Sequence, residues 1–155
     1  MTLQLATLAF PYGGPIPEKY TGDGENVSPP LSWTEPPPGT VSFALINDDP
    51  DDEPRPWVHW LVYNIPAAVR ALKEGLPKDE RLPDGTLQGL SDFKSVGYRG
   101  PWPPSGTHHY VFKLYALDCL LELPAKATKP QIEAAMQSHI LAQAQMTGTY
   151  RRKGP

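Results

Sequence analysis

The stretch Gly100-Pro101-Trp102-Pro103-Pro104-Ser105-Gly106-Thr107-His108-His109-Tyr110, running on into Val111-Phe112-Lys113-Leu114-Tyr115-Ala116-Leu117, decides how this chain folds. Its three prolines fix the backbone and remove N–H donors, so its first part is a stiff turn and not a helix. Residues 109–117 are apolar and β-prone and form the clearest strand in the sequence. Side chains alternate across a strand, which puts His108, Tyr110 and Phe112 on one face and His109 and Val111 on the other. A rigid turn therefore delivers an imidazole and a phenol that can converge on one point, and His109 cannot join them.

Other strands are expected on either side. Residues 41–47 are apolar between Gly39 and Pro50, and residues 57–65 form a nearly continuous apolar run ended by Pro66, as suits a strand buried on both faces. Leu3, Leu5 and Leu8 suggest a short opening strand, and residues 149–152 a last one. Residues 67–73 read as a short helix with Gly75 as its cap. Thr128, Lys129 and Pro130 open a second helix. Ile132, Met136, Ile140 and Gln143 or Ala144 continue it at helical spacing, to a stop at Gly148. Residues 15–39 and 82–104, dense in Pro, Gly, Asp and Asn, are expected to be ordered loops. Strands in succession with helices as decoration predict a mainly β, antiparallel sandwich and not a parallel βαβ winding.

The 155 residues fit one domain, 1–155, large enough to bury a core. With 39% hydrophobic and 20% charged residues the chain is globular. A net charge of -3 supplies no basic face, which argues against a nucleic-acid partner. Its 20 prolines stand against a background of about 5% of residues, so much of the chain must lie in fixed loops. The single cysteine, Cys119, excludes an internal disulfide. Residues 1–10 lack a basic region and a long apolar run. Neither a signal peptide nor membrane insertion is expected, and the cytoplasm is the expected location.

Three segments concentrate reactive groups. Asp48-Asp49-Pro50-Asp51-Asp52-Glu53-Pro54 follows a strand and reads most simply as a solvated acidic turn. Trp57-Val58-His59-Trp60-Leu61 carries a histidine in apolar surroundings, where an unpaired polar group costs roughly 1–3 kcal/mol, so His59 needs a partner. The turn at 100–110 brings His108 and Tyr110. Two imidazoles, a phenol and backbone N–H groups of a Gly/Pro turn suit a phosphate or carboxylate, and a carboxylate can orient an imidazole. A carboxylate neighbour would raise an imidazole pKa and burial would lower it. No nucleophile elbow, phosphate-cradling loop or zinc-protease helix motif occurs, and no cofactor is expected. Cys119, among leucines, and His139, beside Ile140, read as structural.

The order of these motifs resembles the phosphatidylethanolamine-binding proteins, above all their bacterial and archaeal branch, the Raf-kinase-inhibitor-like proteins. Asp49-Pro50-Asp51, His59-Trp60, Gly100-Pro101-Trp102-Pro103-Pro104 and His108-x-Tyr110 carry the likeness. So do Tyr20-Thr21, residues 23–31, Asn64-Ile65-Pro66-Ala67, Asp92-Phe93 and Gly97-Tyr98, so that it runs nearly end to end. The resemblance implies a sandwich with Greek-key connections and a pocket for anionic groups. By motif position that pocket involves Asp49, His59, Pro103, Pro104, His108 and Tyr110, with Asp51, Trp57, Gly100 and Trp102 in support. The chain departs from the pattern at Asp52-Glu53, where the family has Ala-Pro, with Pro54 one position later. It departs again at Trp102, where a small residue or cysteine is usual; a tryptophan there can narrow the mouth or offer a stacking surface.

The leading expectation is a non-catalytic binder of a small anionic or phosphorylated ligand, such as phosphate, a phosphorylethanolamine-like head group or a nucleotide. The resemblance adds modulation of a kinase or serine protease, and a homodimer. One competing reading is an enzyme in which His59 and His108 act as acid and base with help from Tyr110. Another is a metal site of Asp49, His59 and His108.

Overall fold

A computed structural model describes residues 2–152. Its centre is strand β3 (Ser42–Asp49), flanked by β4 (Trp57–Pro66) and β7 (Thr107–Leu117). β6 (Leu87–Gln88) and β8 (Ile140–Arg151) form the edges, giving a five-stranded sheet in the order β6-β4-β3-β7-β8. A smaller sheet is built from β1 (Leu5–Ala6), β2 (Leu31–Trp33) and β5 (Ala71–Leu72) in the order β1-β2-β5. All these strand pairs are antiparallel, as expected for the sandwich.

Two cores cover the two faces of the large sheet. Phe43, Leu45, Trp60, Val62, Phe112 and Leu114 pack on one face against Leu31, Trp33 and Leu72 of the small sheet. Ala44, Ile46, Leu61 and Tyr63 pack on the other against Ile132 and Met136 of helix α1 (Lys129–Met136). Every residue of β3 is buried, which explains its unbroken apolar run. The indole of Trp60 is sealed in this interior and donates to Gln88 Oε1 at 2.8 Å, while Gln88 Nε2 donates to the carbonyls of Pro77 and Asp79. A buried tryptophan N–H is thus satisfied, and the same chain of bonds ties β6 and the preceding loop to β4.

Four expectations are corrected. Residues 67–73 form no helix: the carbonyls of Val69 and Arg70 accept from the Trp33 indole and backbone N–H, and Leu72 pairs with Leu31. Those cross-chain bonds engage carbonyls that a helix would direct along its own axis. The second helix begins at Thr128 as expected, with Gln131 accepting the Thr128 N–H, but it ends at Met136. Ser138 turns the backbone left-handed (φ 71°), and residues 140–151 become β8, paired with β7 along almost its whole length. The loops at 15–39 and 82–104 contain a 3₁₀ turn (Glu18–Tyr20), β2 and β6. The opening strand spans only Leu5–Ala6, and Leu8 is fully exposed.

The far end of β3 carries two adjacent carboxylates into this interior. Asp48 is only 2% exposed and is met by Lys129 Nζ at 2.7 Å from the first turn of α1. Removing one partner of a buried pair strands the other charge. Lys129→Ala is therefore expected to cost about 3 kcal/mol in urea unfolding at neutral pH. Adding Asp48→Asn should recover part of that loss, whereas a loss that persists undiminished in the double variant would contradict this reading of the pair.

Candidate functional site

The strand pairing carries a bulge at the same end. Asn47 faces Trp60 but Asp48 faces Val58, so His59 is the extra residue on β4. Val58 points toward the α1 side, while His59 and Trp60 both face the side of the first core. Simple alternation would have separated His59 from Trp60; the bulge re-aims the imidazole. It comes to lie edge-on to Tyr110, with ring centres 5.3 Å apart, and edge-on to Phe93 at 5.1 Å.

These groups line a cleft of about 430 Å³. Of the residues expected at the site, Asp49, Trp57, His59, Gly100, Trp102, Pro103, Pro104 and Tyr110 line it. His108 does not. It reaches the site through Asp49, with Nδ1 2.6 Å from Asp49 Oδ2, and lies nearly parallel to the Tyr110 ring. Asp51 is one step further out. Its backbone N–H donates to Asp49 Oδ1, and its own carboxylate accepts from the His109 backbone N–H at 2.7 Å and lies 2.8 Å from His109 Nδ1. His109 is outside the cleft, as strand alternation requires. The acidic segment is therefore not a solvated turn throughout: Asp48 and Asp49 are buried strand residues, and the Glu53–Pro54 peptide within it is cis.

Sequence reasoning did not place Arg99, Asp52, Asn26, Phe93 and Gly22 in the pocket, and they complete the lining. Arg99 accounts for the buried histidine: its carbonyl is 2.6 Å from His59 Nδ1 and accepts that N–H. This leaves Nε2 without a partner among the described residues. Arg99 stacks its guanidinium 4.4 Å above the Phe93 ring and meets no carboxylate among the described residues. Asn26, in a left-handed conformation (φ 60°) that asparagine tolerates, accepts the Gly100 N–H through Oδ1 at 2.7 Å. Gly22 donates to the Pro101 carbonyl, and Tyr98 donates its hydroxyl to the Tyr20 carbonyl at 2.6 Å. These bonds hold the 20–26 loop against the 98–103 loop, and a side chain at Gly100 would run into the Tyr20 carbonyl. Trp102 lies over Gly22 at the mouth, more than half exposed, with its N–H on Asp23 and the Arg152 guanidinium 4.5 Å from its ring centre.

Burial controls the ionisation of the lining. It pushes the His59 pKa below the usual histidine value, against opposing contributions from the Arg99 carbonyl and the carboxylates of Asp49, Asp52 and Asp48. Burial also pushes the Tyr110 phenol far up, with Asp49 adding to the effect, so this hydroxyl is a fixed donor. Both Asp49 oxygens are occupied by His108 and the Asp51 N–H. Among the described residues, the group here whose ligand atoms all lie within 4.8 Å of one another is Asp49, Asp52 and His108, and it does not include His59.

Comparison with known proteins agrees with this architecture. The family model described as phosphatidylethanolamine-binding protein matches residues 6–151. A UPF0098 protein of Methanothermobacter thermautotrophicus is 50% identical over 150 residues, covering 97% of this chain and 99% of the relative. The crystal structure of a phosphatidylethanolamine-binding protein homologue from Chlamydia trachomatis superposes with a TM-score of 0.90 at 40% identity, covering 98% of this chain and 99% of that one. Escherichia coli YbcL, described as a member of the mammalian family of these proteins, gives 0.89 at 32% identity over 99% of this chain and 100% of its own. This chain belongs to the phosphatidylethanolamine-binding protein family.

Proposed function

We propose that the cleft binds a small phosphorylated or otherwise anionic ligand and that binding, not turnover, is its task. The observation that carries this reading is the set of polar groups left open there. Among the described residues the Tyr110 hydroxyl and His59 Nε2 bond to no protein group, and they are not sealed away, since Ser95 Oγ is the one buried side-chain polar atom lacking a partner. The hydroxyl is a donor as it stands, and Nε2, a lone pair in the neutral ring, becomes one when the imidazole is protonated. Beside them Arg99 offers a guanidinium that meets no carboxylate among the described residues, a group that matches phosphate oxygens in a fork. The volume suits a small ligand.

The Asp52 carboxylate lines the same cleft, so a ligand bearing both a phosphate and an ammonium finds complementary groups for each end. That favours a phosphorylethanolamine-like head group over bare phosphate. Proton transfer is poorly served: the Tyr110 phenol is held in its protonated form and both Asp49 oxygens are engaged.

Two measurements test this reading. Phosphorylethanolamine at about 100 times its dissociation constant should stabilise the fold by roughly 2.7 kcal/mol. Arg99→Ala and Tyr110→Phe should each weaken binding, and His109→Ala should leave it unchanged. No stabilisation by phosphate, phosphorylethanolamine or nucleotides would sink the proposal, and a His109→Ala loss equal to that of Tyr110→Phe would place the ligand elsewhere.

The second concerns pH. His59 is neutral in the free fold at neutral pH because its pKa is depressed, while in the unfolded chain it titrates near 6.5. The unfolded state therefore takes up the proton first on acidification. Its contribution to stability is present above about 6.5 and is lost as pH falls through the lower folded value. An anion on Nε2 opposes this by favouring the imidazolium. Affinity for a sulfonate, whose charge stays constant, should rise as pH drops below about 6.5, while stability without ligand declines. His59→Gln should flatten both trends, and an unaltered pH profile in that variant would refute the role given to His59.

A further inference from the structure

At the end of β7 remote from His108, the chain turns through Asp118 and Cys119 beside the reversal that joins α1 to β8. The backbone locks these two turns together: the Asp118 N–H donates to the His139 carbonyl at 3.0 Å, and the His139 N–H to the Met136 carbonyl at 2.9 Å. On this frame Asp118, Cys119 and His139 hold a carboxylate oxygen, a sulfur and a ring nitrogen within 4.8 Å of one another. Asp118 Oδ1 and His139 Nδ1 lie 2.7 Å apart, and both side chains remain over 40% exposed, so the cluster is open to solvent. Cys119 is half-buried against the second core.

The sequence gives Cys119 and His139 structural roles, and the geometry goes beyond that. We propose that Asp118, Cys119 and His139 form a binding site for a borderline divalent cation of the Zn²⁺ type, separate from the ligand cleft. Sulfur, imidazole and carboxylate donors together suit Zn²⁺, whereas Mg²⁺ and Ca²⁺ take oxygen ligands. On binding, the thiol releases its proton to solvent, the His139 ring moves its proton from Nδ1 to Nε2 so that Nδ1, now facing the metal in place of its bond to Asp118, can coordinate, and Asp118 supplies one oxygen. Three protein ligands leave a fourth position of a tetrahedron to water.

Titration of the purified full-length chain with Co²⁺ and then Zn²⁺ tests this directly. The expected result is one metal per chain, a thiolate-to-cobalt charge-transfer absorption, and its disappearance as Zn²⁺ displaces Co²⁺. Cys119→Ser should abolish that absorption and weaken Zn²⁺ binding at least about tenfold, and His139→Ala, at a largely exposed position, should weaken it comparably. Asp52→Asn, in the other carboxylate–imidazole group, should leave the Zn²⁺ affinity and the cobalt absorption unaltered. Melting in the presence of chelator checks that each variant is folded. Absence of the charge-transfer band, Zn²⁺ affinity unaltered by Cys119→Ser, or loss of binding in Asp52→Asn would overturn the proposal.

Discussion

Strand β3 is paired on both edges and covered on both faces, yet it ends in two consecutive aspartates. Side chains alternate, so Asp48 and Asp49 emerge on opposite faces of the large sheet, and both are almost wholly buried. Each must be met inside the protein, because leaving a carboxylate unpaired there costs far more than an ordinary packing defect. On one face the partner is Lys129, which fixes where α1 begins. On the other it is His108, delivered by the proline-rich turn and followed two residues later by Tyr110. The helix and the cleft are thus two answers to the same electrostatic requirement.

Geometry then decides which groups are left for a ligand. The bulge at His59 places a second imidazole on the cleft face, and the Arg99 carbonyl satisfies only one of its nitrogens. Burial dominates the electrostatics of both His59 and Tyr110, outweighing the carboxylates around the histidine and reinforced by them at the phenol. The outcome is a weakly basic imidazole and a permanently protonated hydroxyl beside a guanidinium that meets no carboxylate among the described residues. Two loops far apart in sequence complete the wall, joined by bonds from Gly22 to Pro101 and from Gly100 to Asn26. The rigidity of the prolines fixes these groups in place, which would limit the ordering cost of binding the proposed ligand.

The central strands and most of the cleft were legible in the sequence because long apolar runs and proline turns are local signals. The alternation that excluded His109 was legible for the same reason. What failed was arbitration between periods. Ala142-Gln143-Ala144-Gln145-Met146-Thr147 is composed mainly of good helix formers, but it alternates with period two, and it forms β8 with Ala142, Ala144 and Met146 packed inward. Long-range pairing with β7 outweighed local propensity. Arg99 was invisible for a different reason. Its role rests on its own carbonyl and on a neighbour's ring, and nothing in Tyr98-Arg99-Gly100 announces either. The bulge was equally hidden, since it arises from the register between β3 and β4.

The proposed ligand contacts are the open polar groups at the end of β3, β4 and β7, the Tyr110 hydroxyl and His59 Nε2. Nuclear magnetic resonance of histidine and tyrosine rings, recorded while phosphorylethanolamine is titrated in, tests them most directly. The account predicts saturable shifts of the His59 and Tyr110 ring signals, a smaller response at His108 through Asp49, and still signals from His109 and His139. Shifts absent at His59 and Tyr110, or centred on the second cleft lined by Arg55, Lys94 and Lys129, would contradict it.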